Sequence, residues 1–426
     1  MRATRAIIHL ENLEHNISEI RNLIDKNKKI CMPVKADGYG HGAVEIARRA
    51  VKCGVSCLAV ATVDEGIELR KAGIKCPILI FSLPSMEELI SLTTYDITPF
   101  VFEDYYIDEL QKVAMRFVKK LDVYLKVDSG MGRIGCKITD AQHLALKIND
   151  CPNLNLAGVA THLCVSDSVK KMDIEFTEKQ IENFEWAVNS IRAVKINPGI
   201  VTCSASGGVL MYADKAQFDM VRPGILFYGY YPDNSVRDFL VEENGFAPDF
   251  KPVMELKTKI ESIKKVEKGT SVSYGRTWFA SEDTYIATLP IGYADGLLRH
   301  FAGKLSVRIN GRMYPIVGRI CMDQCMVDLG SDCGEKDGKK IKVWDDVVIF
   351  GPEESGEGGT MADFSSGEFL VKNTADTLAQ IAACGSAVSG NAACGNTADT
   401  LAQIADTISY EITCSINKRV PRVYVG

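Results

Sequence analysis

The feature that most limits how this chain can fold is a series of eight short apolar runs, at 31–35, 57–61, 77–81, 98–102, 123–127, 156–162, 201–204 and 220–228. Segments of helical periodicity lie between most of them, at 44–52, 64–71, 86–92, 104–119, 140–147 and 171–194, and another at 12–25 precedes the first. Runs that are apolar throughout, rather than alternating, belong to strands buried on both faces, and such strands joined by helices form parallel sheets. An open doubly wound sheet shares this pattern, but eight is the count that closes a (β/α)8 barrel, which is expected over residues 1–245. From about residue 250 the texture changes to turn-rich, alternating β sequence, at 253–263, 285–289, 305–309, 313–317, 326–329 and 347–350, with Asn310-Gly311 as a hairpin signal. Residues 246–426 are therefore expected to form a separate, mainly antiparallel β domain, and a length of 426 residues suits two cores.

The later segment carries a repeat: NTADTLAQIA occurs at 373–382 and again at 396–405. Each copy places small and apolar residues at helical spacing behind a capping residue, Asn373 or Asn396. Two copies are too few for a solenoid. A local duplication is expected near 373–405, with one copy packed and the other added at the surface.

Bulk properties exclude several classes of function. A net charge of -6 and a pI near 5.7, with no basic stripe, argue against a nucleic-acid partner. No apolar run approaches the ~18 residues of a membrane span, and the first residues lack the pattern of a signal peptide, so a cytoplasmic protein is expected. Fourteen cysteines are present. Most sit in apolar runs, and the Cys321-x-x-x-Cys325 pair lacks the further ligands of a zinc site. Neither a metal nor a structural disulfide is expected.

Active sites of such barrels lie at the carboxyl ends of the strands. The first run ends on Lys35 and opens into the glycine-rich turn Ala36-Asp37-Gly38-Tyr39-Gly40-His41-Gly42. A lysine in that position can lose hydration and with it some basicity, which an amine needs in order to form a Schiff base. A lysine snorkelling beside an ordinary turn is the plainer alternative. The fifth run leads through Lys126 and Asp128 to Gly132-Arg133, and the sixth ends at His162. The seventh leads into Ser204-Ala205-Ser206-Gly207-Gly208, and the eighth contains Arg222-Pro223-Gly224-Ile225. Taken singly, His162 reads as a core histidine and Arg222 as an ion-paired one. Together at one barrel mouth, the set supplies a Schiff-base lysine, a hydroxyl-and-amide nest for phosphate, and cations for a ring, which is what pyridoxal phosphate requires.

These residues sit in motifs that resemble those of the alanine racemases, fold-type III pyridoxal-phosphate enzymes. The motifs are VKADGYGHG at 34–42, LKVDSGMGRIG at 125–135, THL around His162, MVRPGILFYG at 220–229, VSYGRTW at 272–278, PIGYADGLLR at 290–299, GRICMDQCMVDL at 318–329 and ISYEITCSINKRVPR at 408–422. They span both expected domains in the family's order. The chain departs from the family at Ala205, where an asparagine is usual, at Gly207 and Gly208, where alanines are usual, and in its tandem repeat.

The resemblance implies roles. Lys35 would carry the cofactor and act as one of two acid/bases, with Tyr274, from the second subunit of a homodimer, as the other. Tyr39, Ser206, Gly224, Ile225 and Tyr410 would hold the phosphate, Arg222 the pyridine nitrogen and Arg133 the phenolic oxygen. His162 would stand behind Arg222 and Tyr274. Met322 and Asp323, from the other subunit, would meet the substrate carboxylate, together with Arg133, and Tyr293 would line the way in. Lys126 aligns with a lysine that is carbamylated in many members. The implied reaction is interconversion of L- and D-alanine, supplying D-alanine for peptidoglycan. It needs one base on each face of a planar intermediate, and free lysine and tyrosine, with pKa values near ~10, must both become better bases. Arginine rather than a carboxylate at the ring nitrogen would limit side reactions and counts against a decarboxylase. A serine or broad-specificity racemase and a non-catalytic cofactor carrier are the remaining alternatives. The second base and the β domain count against the carrier.

Overall fold

The computed structural model describes residues 2–335, 338, 340–352 and 396–426. The chain divides into two compact units, Ile8–Val253 with Tyr424–Gly426, and Met1–Ile7 with Met254–Val423. Residues 1–7, counted with the barrel on sequence grounds, thus group with the sheet unit.

In the first unit eight parallel strands follow one another around a sheet: Lys29–Pro33, Cys57–Val60, Ile78–Ile80, Thr98–Val101, Leu121–Asp128, Leu154–Ala160, Ile200–Thr202 and Met220–Val221. The last returns to the first, with Met220 opposite Lys29 and Val221 opposite Ile30. The seam between the seventh and eighth strands is closed by single bonds instead of a ladder. The Val201 amide donates to the Asp219 carboxylate at 2.8 Å, and the Arg222 amide to the Ser204 carbonyl at 2.8 Å. Cys31, Cys57, Ala59, Leu79, Phe100, Tyr124, Ala160 and Met220 fill the interior. Large and small residues interlock there: a Cβ on Gly158 would lie 2.2 Å from the Tyr124 ring. Helices such as Ala43–Lys52, Asp104–Arg116 and Lys171–Ala193 bury one face each, and Leu10–Asn22 precedes the first barrel strand.

Two strands end earlier than their hydrophobicity suggests. The eighth, expected over 220–228, stops at Val221, because Pro223 has no amide to continue a ladder. Ile225–Tyr228 is instead a fully buried 3-10 turn. The first strand stops at Pro33, short of Lys35. The helix Asn234–Asn244 was not expected from the sequence.

Most of the second unit's strands belong to a nine-stranded sheet in the order Ser262–Val266, Thr284–Leu289, Cys325–Asp328, Arg312–Val317, Ser306–Ile309, Asp346–Phe350, Met254–Lys259, Arg5–His9 and Arg422–Val425, of which the last two run past the unit's bounds at Ile7 and Val423. The pairings from Ser262–Val266 through Met254–Lys259 are antiparallel. Asn310 and Gly311, both at positive φ (50° and 76°), form the two-residue turn that their sequence signals, setting Ile309 opposite Arg312. The stretch 253–263, read as one strand, is two, broken around Ile260.

The second NTADTLAQIA copy forms the helix Ala398–Ala405, with Ala398, Leu401 and Ala402 buried. Its cap is Thr397, whose hydroxyl accepts from the Thr400 amide at 3.2 Å, and not Asn396 as expected. Asn396 is engaged elsewhere, donating to the carbonyl of Ile349 at 3.0 Å. The first copy, 373–382, lies outside the described residues.

Candidate active site

Lys35 leaves the first barrel strand on a turn of unusual hand. Ala36, Asp37, Gly38 and Tyr39 have φ of 52°, 55°, 62° and 53°, a left-handed turn that costs roughly 1–2 kcal/mol for each residue bearing a Cβ. The turn persists because its polar groups are tied on every side. The Ala36 amide donates to Glu65 at 2.7 Å, and the other oxygen of that carboxylate takes the Ala61 amide at 2.7 Å. The Gly42 amide donates to the Asp37 carbonyl at 2.8 Å, and the Ala43 amide to the Asp37 carboxylate at 3.0 Å. Fully buried His41 turns Nδ1 to the carbonyls of Gly38 (3.0 Å) and Tyr39 (2.8 Å), so that nitrogen carries the proton. The Tyr39 ring stacks on Tyr228 at 4.7 Å, and the Tyr228 hydroxyl donates to the Pro33 carbonyl at 3.0 Å.

Ser206, which follows the seventh strand, meets Gly224 and Ile225, which follow the eighth, across the barrel seam. The Gly224 amide donates to Ser206 Oγ at 2.9 Å, and a Cβ on Gly224 would lie 2.9 Å from the Tyr39 hydroxyl. The turn after strand one, the start of the helix Ser206–Met211 and the start of the turn Ile225–Tyr228 therefore share one cradle. The glycines at 207 and 208 also find a reason. A Cβ on Gly207 would lie 2.6 Å from the Ser166 carbonyl, and one on Gly208 2.9 Å from Ser204 Oγ.

Lys126, Arg133, Arg222 and His162 gather basic groups at the same mouth. Arg222 is buried, and its guanidinium donates to the Thr161 carbonyl (2.7 Å), the Cys203 carbonyl (3.2 Å) and the buried hydroxyl of Thr202. All of these acceptors are neutral. Burial, then the nearby charges of Arg222 and Arg133, hold the Lys126 amine well below the usual lysine range. His162 is likewise held well below its ordinary value by burial, then by Arg222, Lys126, Arg133 and Lys35, so its imidazole is neutral. The Asp128 carboxylate is occupied by the amides of Gly130, Met131 and Gly132 at 2.8–3.1 Å, which hold it ionised against its partial burial. That loop presents Arg133 to solvent.

The remaining expected residues lie in the sheet unit. Tyr274, 70% exposed, opens a short turn behind Ser273, whose hydroxyl donates to the Arg319 carbonyl at 2.6 Å. The amides of Tyr293 and Ala294 donate to the carbonyls of Cys321 and Met322, both at 3.0 Å, so the 292–295 turn rests on the 321–323 loop. Met322 is 53% exposed and the Asp323 side chain 61%. Tyr410 is half-buried on the helix Ser409–Ser415, the end of which packs on Gly296. Within this unit Tyr274, Tyr293, Met322 and Asp323 all flank one loop.

Sequence reasoning missed Thr202, Asp295 and Arg419. Asp295 and Arg419 stand inside motifs already noticed, PIGYADG and INKRVPR, but neither had been given a chemical task. Thr202 carried no signal at all.

Comparison with known proteins agrees with this geometry. The alanine racemase N-terminal domain profile matches residues 8–232, and the C-terminal domain profile matches residues 253–369. The alanine racemase of Treponema denticola is 48% identical over 425 residues, covering 100% of this chain and 99% of that protein. That of Treponema pallidum is 39% identical, with 100% of each covered. The structure of alanine racemase from Clostridium difficile 630 superposes with a TM-score of 0.82 at 35% identity, over 100% of this chain and 96% of that one. Alanine racemase from Bacillus anthracis with bound L-Ala-P gives 0.82 at 28% identity, over 100% and 96%. With a barrel that carries Lys35 and its cradle, a sheet unit that carries Tyr274, and likeness along the whole chain, this protein belongs to the alanine racemases, the pyridoxal-phosphate-dependent isomerases of alanine.

Proposed function

We propose that this chain racemises alanine in the cytoplasm as a head-to-tail homodimer, with Lys35 of one subunit and Tyr274 of the other as the opposed acid/bases. The observation that carries the reading is the charge at the barrel mouth. Lys35, Lys126, Arg133 and Arg222 surround His162, and the one carboxylate on that loop, Asp128, is taken up by backbone amides. Such a mouth suits a dianionic phosphate, a phenolate and a substrate carboxylate.

The residues fit pyridoxal phosphate on the same ground. Ser206 Oγ, the Tyr39 hydroxyl and the backbone of Gly224 and Ile225 crowd one cradle that a single added Cβ would fill. These groups and Tyr410 would hold the phosphate, and Arg222, fixed by three neutral acceptors, would face the ring nitrogen. Bound there, the cofactor supplies the electron sink that makes the α-proton of alanine removable. Lys35 and Tyr274 then take and return that proton on opposite faces. Neutral His162 can accept or donate a hydrogen bond without adding a further cation. Burial and the neighbouring arginines lower the pKa of the Lys126 amine, which favours the unprotonated form that adds carbon dioxide, and a carbamate there would orient Arg133. Exposure of Tyr274, Tyr293 and Met322 supports the dimer, since a racemase needs its second base and its carboxylate contacts out of bulk water.

Mixing two inactive proteins, Lys35→Ala and Tyr274→Phe, tests the shared site. One of the two sites in a heterodimer then has both bases, and alanine racemisation followed by chiral chromatography should reappear as subunits exchange. Absence of activity after demonstrated exchange would refute the arrangement.

A further inference from the structure

One cluster of charge in the sheet unit has no part in the chemistry above. The Asp295 carboxylate, with 0% of its side chain exposed, accepts from Arg2 at 2.6 and 2.9 Å, from Arg419 Nε at 2.6 Å and from the Gly292 amide at 3.0 Å. Arg419 then reaches onward, and its Nη2 donates to Asp323 Oδ1 at 2.8 Å. Arg419 therefore joins a buried carboxylate to one that faces solvent, beside the loop residues expected to meet the substrate.

The difficulty this solves is electrostatic. Among the described residues the backbone amides of Met322 and Asp323 have no acceptor, so the loop offers two donors to an incoming carboxylate. A bare Asp323 side chain at the same place would repel that carboxylate. We propose that Arg419 is a positioning and specificity residue: it neutralises Asp323 and turns it aside, so that the 322–323 amides can receive the substrate's carboxylate. Asp295 fixes Arg419 from behind through Nε, leaving Nη2 for Asp323. The inference rests on the reading that this loop faces the alanine carboxylate.

The test is a double-mutant cycle on the holoenzyme. Arg419→Gln should raise the KM for both alanine enantiomers on the order of tenfold, with kcat changed less than about threefold. The defect should shrink as ionic strength rises. Arg419→Lys should recover most of the loss. In an Asp323→Asn background, Arg419→Gln should add less than about twofold, because no charge is left to neutralise. Binding of propanoate, followed by the cofactor's absorbance, gives a readout independent of turnover and of the Arg419 variants' folding. Asp323→Asn alone, which frees Arg419, should tighten it a few-fold at low salt. An equal Arg419→Gln penalty in both backgrounds would reduce Arg419 to a structural strut and overturn the proposal, as would weaker propanoate binding by Asp323→Asn. If the unaltered enzyme does not racemise alanine at all, the functional reading fails instead.

Discussion

Replacing Asp295 by Asn removes one negative charge from a site where it accepts four hydrogen bonds and is wholly enclosed. Breaking a buried pair by deleting one partner costs about 3–5 kcal/mol, because the survivor is left unpaired. Here the survivors are not deeply buried: the Arg2 and Arg419 side chains are 30% and 38% exposed and can turn to water. The expected loss is therefore smaller, about 2–3 kcal/mol at neutral pH. Its pH dependence gives the sharper check. Burial alone would raise the Asp295 pKa, but hydrogen bonds from Arg2, Arg419 and Gly292 hold it below the usual carboxylate value. A depressed carboxyl stabilises the fold above its unfolded pKa, about 4, and loses that contribution as pH falls through the lower folded value. The gap between the two proteins should be full at pH 7 and at pH 5, and should narrow below about pH 4. Urea unfolding at fixed protein concentration measures the gap. Hydrogen exchange of peptides covering 290–296 and 417–421 localises it, which matters because two units need not unfold together. A gap under about 0.5 kcal/mol, or one that does not change with pH, would refute the argument.

Two further outcomes are expected. Tyr274→Phe should leave the cofactor bound, and in heavy water D-alanine should keep exchanging its α-hydrogen while L-alanine loses exchange by roughly 10²–10⁴-fold; equal loss from both would make Tyr274 a positional residue. Gly207→Ala, which restores the residue usual in the family, should weaken cofactor binding about tenfold in equilibrium dialysis, since its Cβ would lie 2.6 Å from the Ser166 carbonyl. Unchanged affinity would mean that the 166–167 backbone yields without cost.

The barrel was legible because its strands are apolar on both faces, and a run such as 57–61 leaves little room for another reading. Chain ends of strands were not. Arg222-Pro223-Gly224 interrupts the eighth run, yet Ile225, Leu226 and Phe227 continue its hydrophobicity, because a fully buried 3-10 turn needs apolar residues as much as a strand does. The left-handed turn at 36–39 was hidden for a similar reason. Its hand is imposed by Glu65, His41 and the 42–43 amides, from outside or beyond the turn, and only Gly38 favours it locally. Motif likeness named the residues that would touch cofactor and substrate, and His162 and Lys126 behind them, but not their other supports. Thr202, Asp295 and Arg419 are bonded to other charged side chains, so only their bonds reveal them.

The charged groups of the two units are arranged in opposite ways, and the contrast fits what each is proposed to bind. In the barrel, Arg222 meets only carbonyls and a hydroxyl, and Asp128 is turned to amides, so positive charge is left uncompensated at the mouth. Keeping cations together without counter-ions is costly, and burial with mutual repulsion duly strips Lys126 and His162 of much of their basicity. That arrangement suits a site whose phosphate ligand carries the missing negative charge. In the sheet unit the opposite holds. Arg2 and Arg419 balance Asp295 and Asp323, so the cluster is neutral as it stands. If the barrel already supplies cation for the substrate's carboxylate, as proposed, a further excess on this unit would only hold the product's carboxylate as firmly as the substrate's. On the proposal that Arg419 cancels Asp323, what this unit would add beside Arg133 is the loop's backbone dipoles, which carry no net charge to hold the product back.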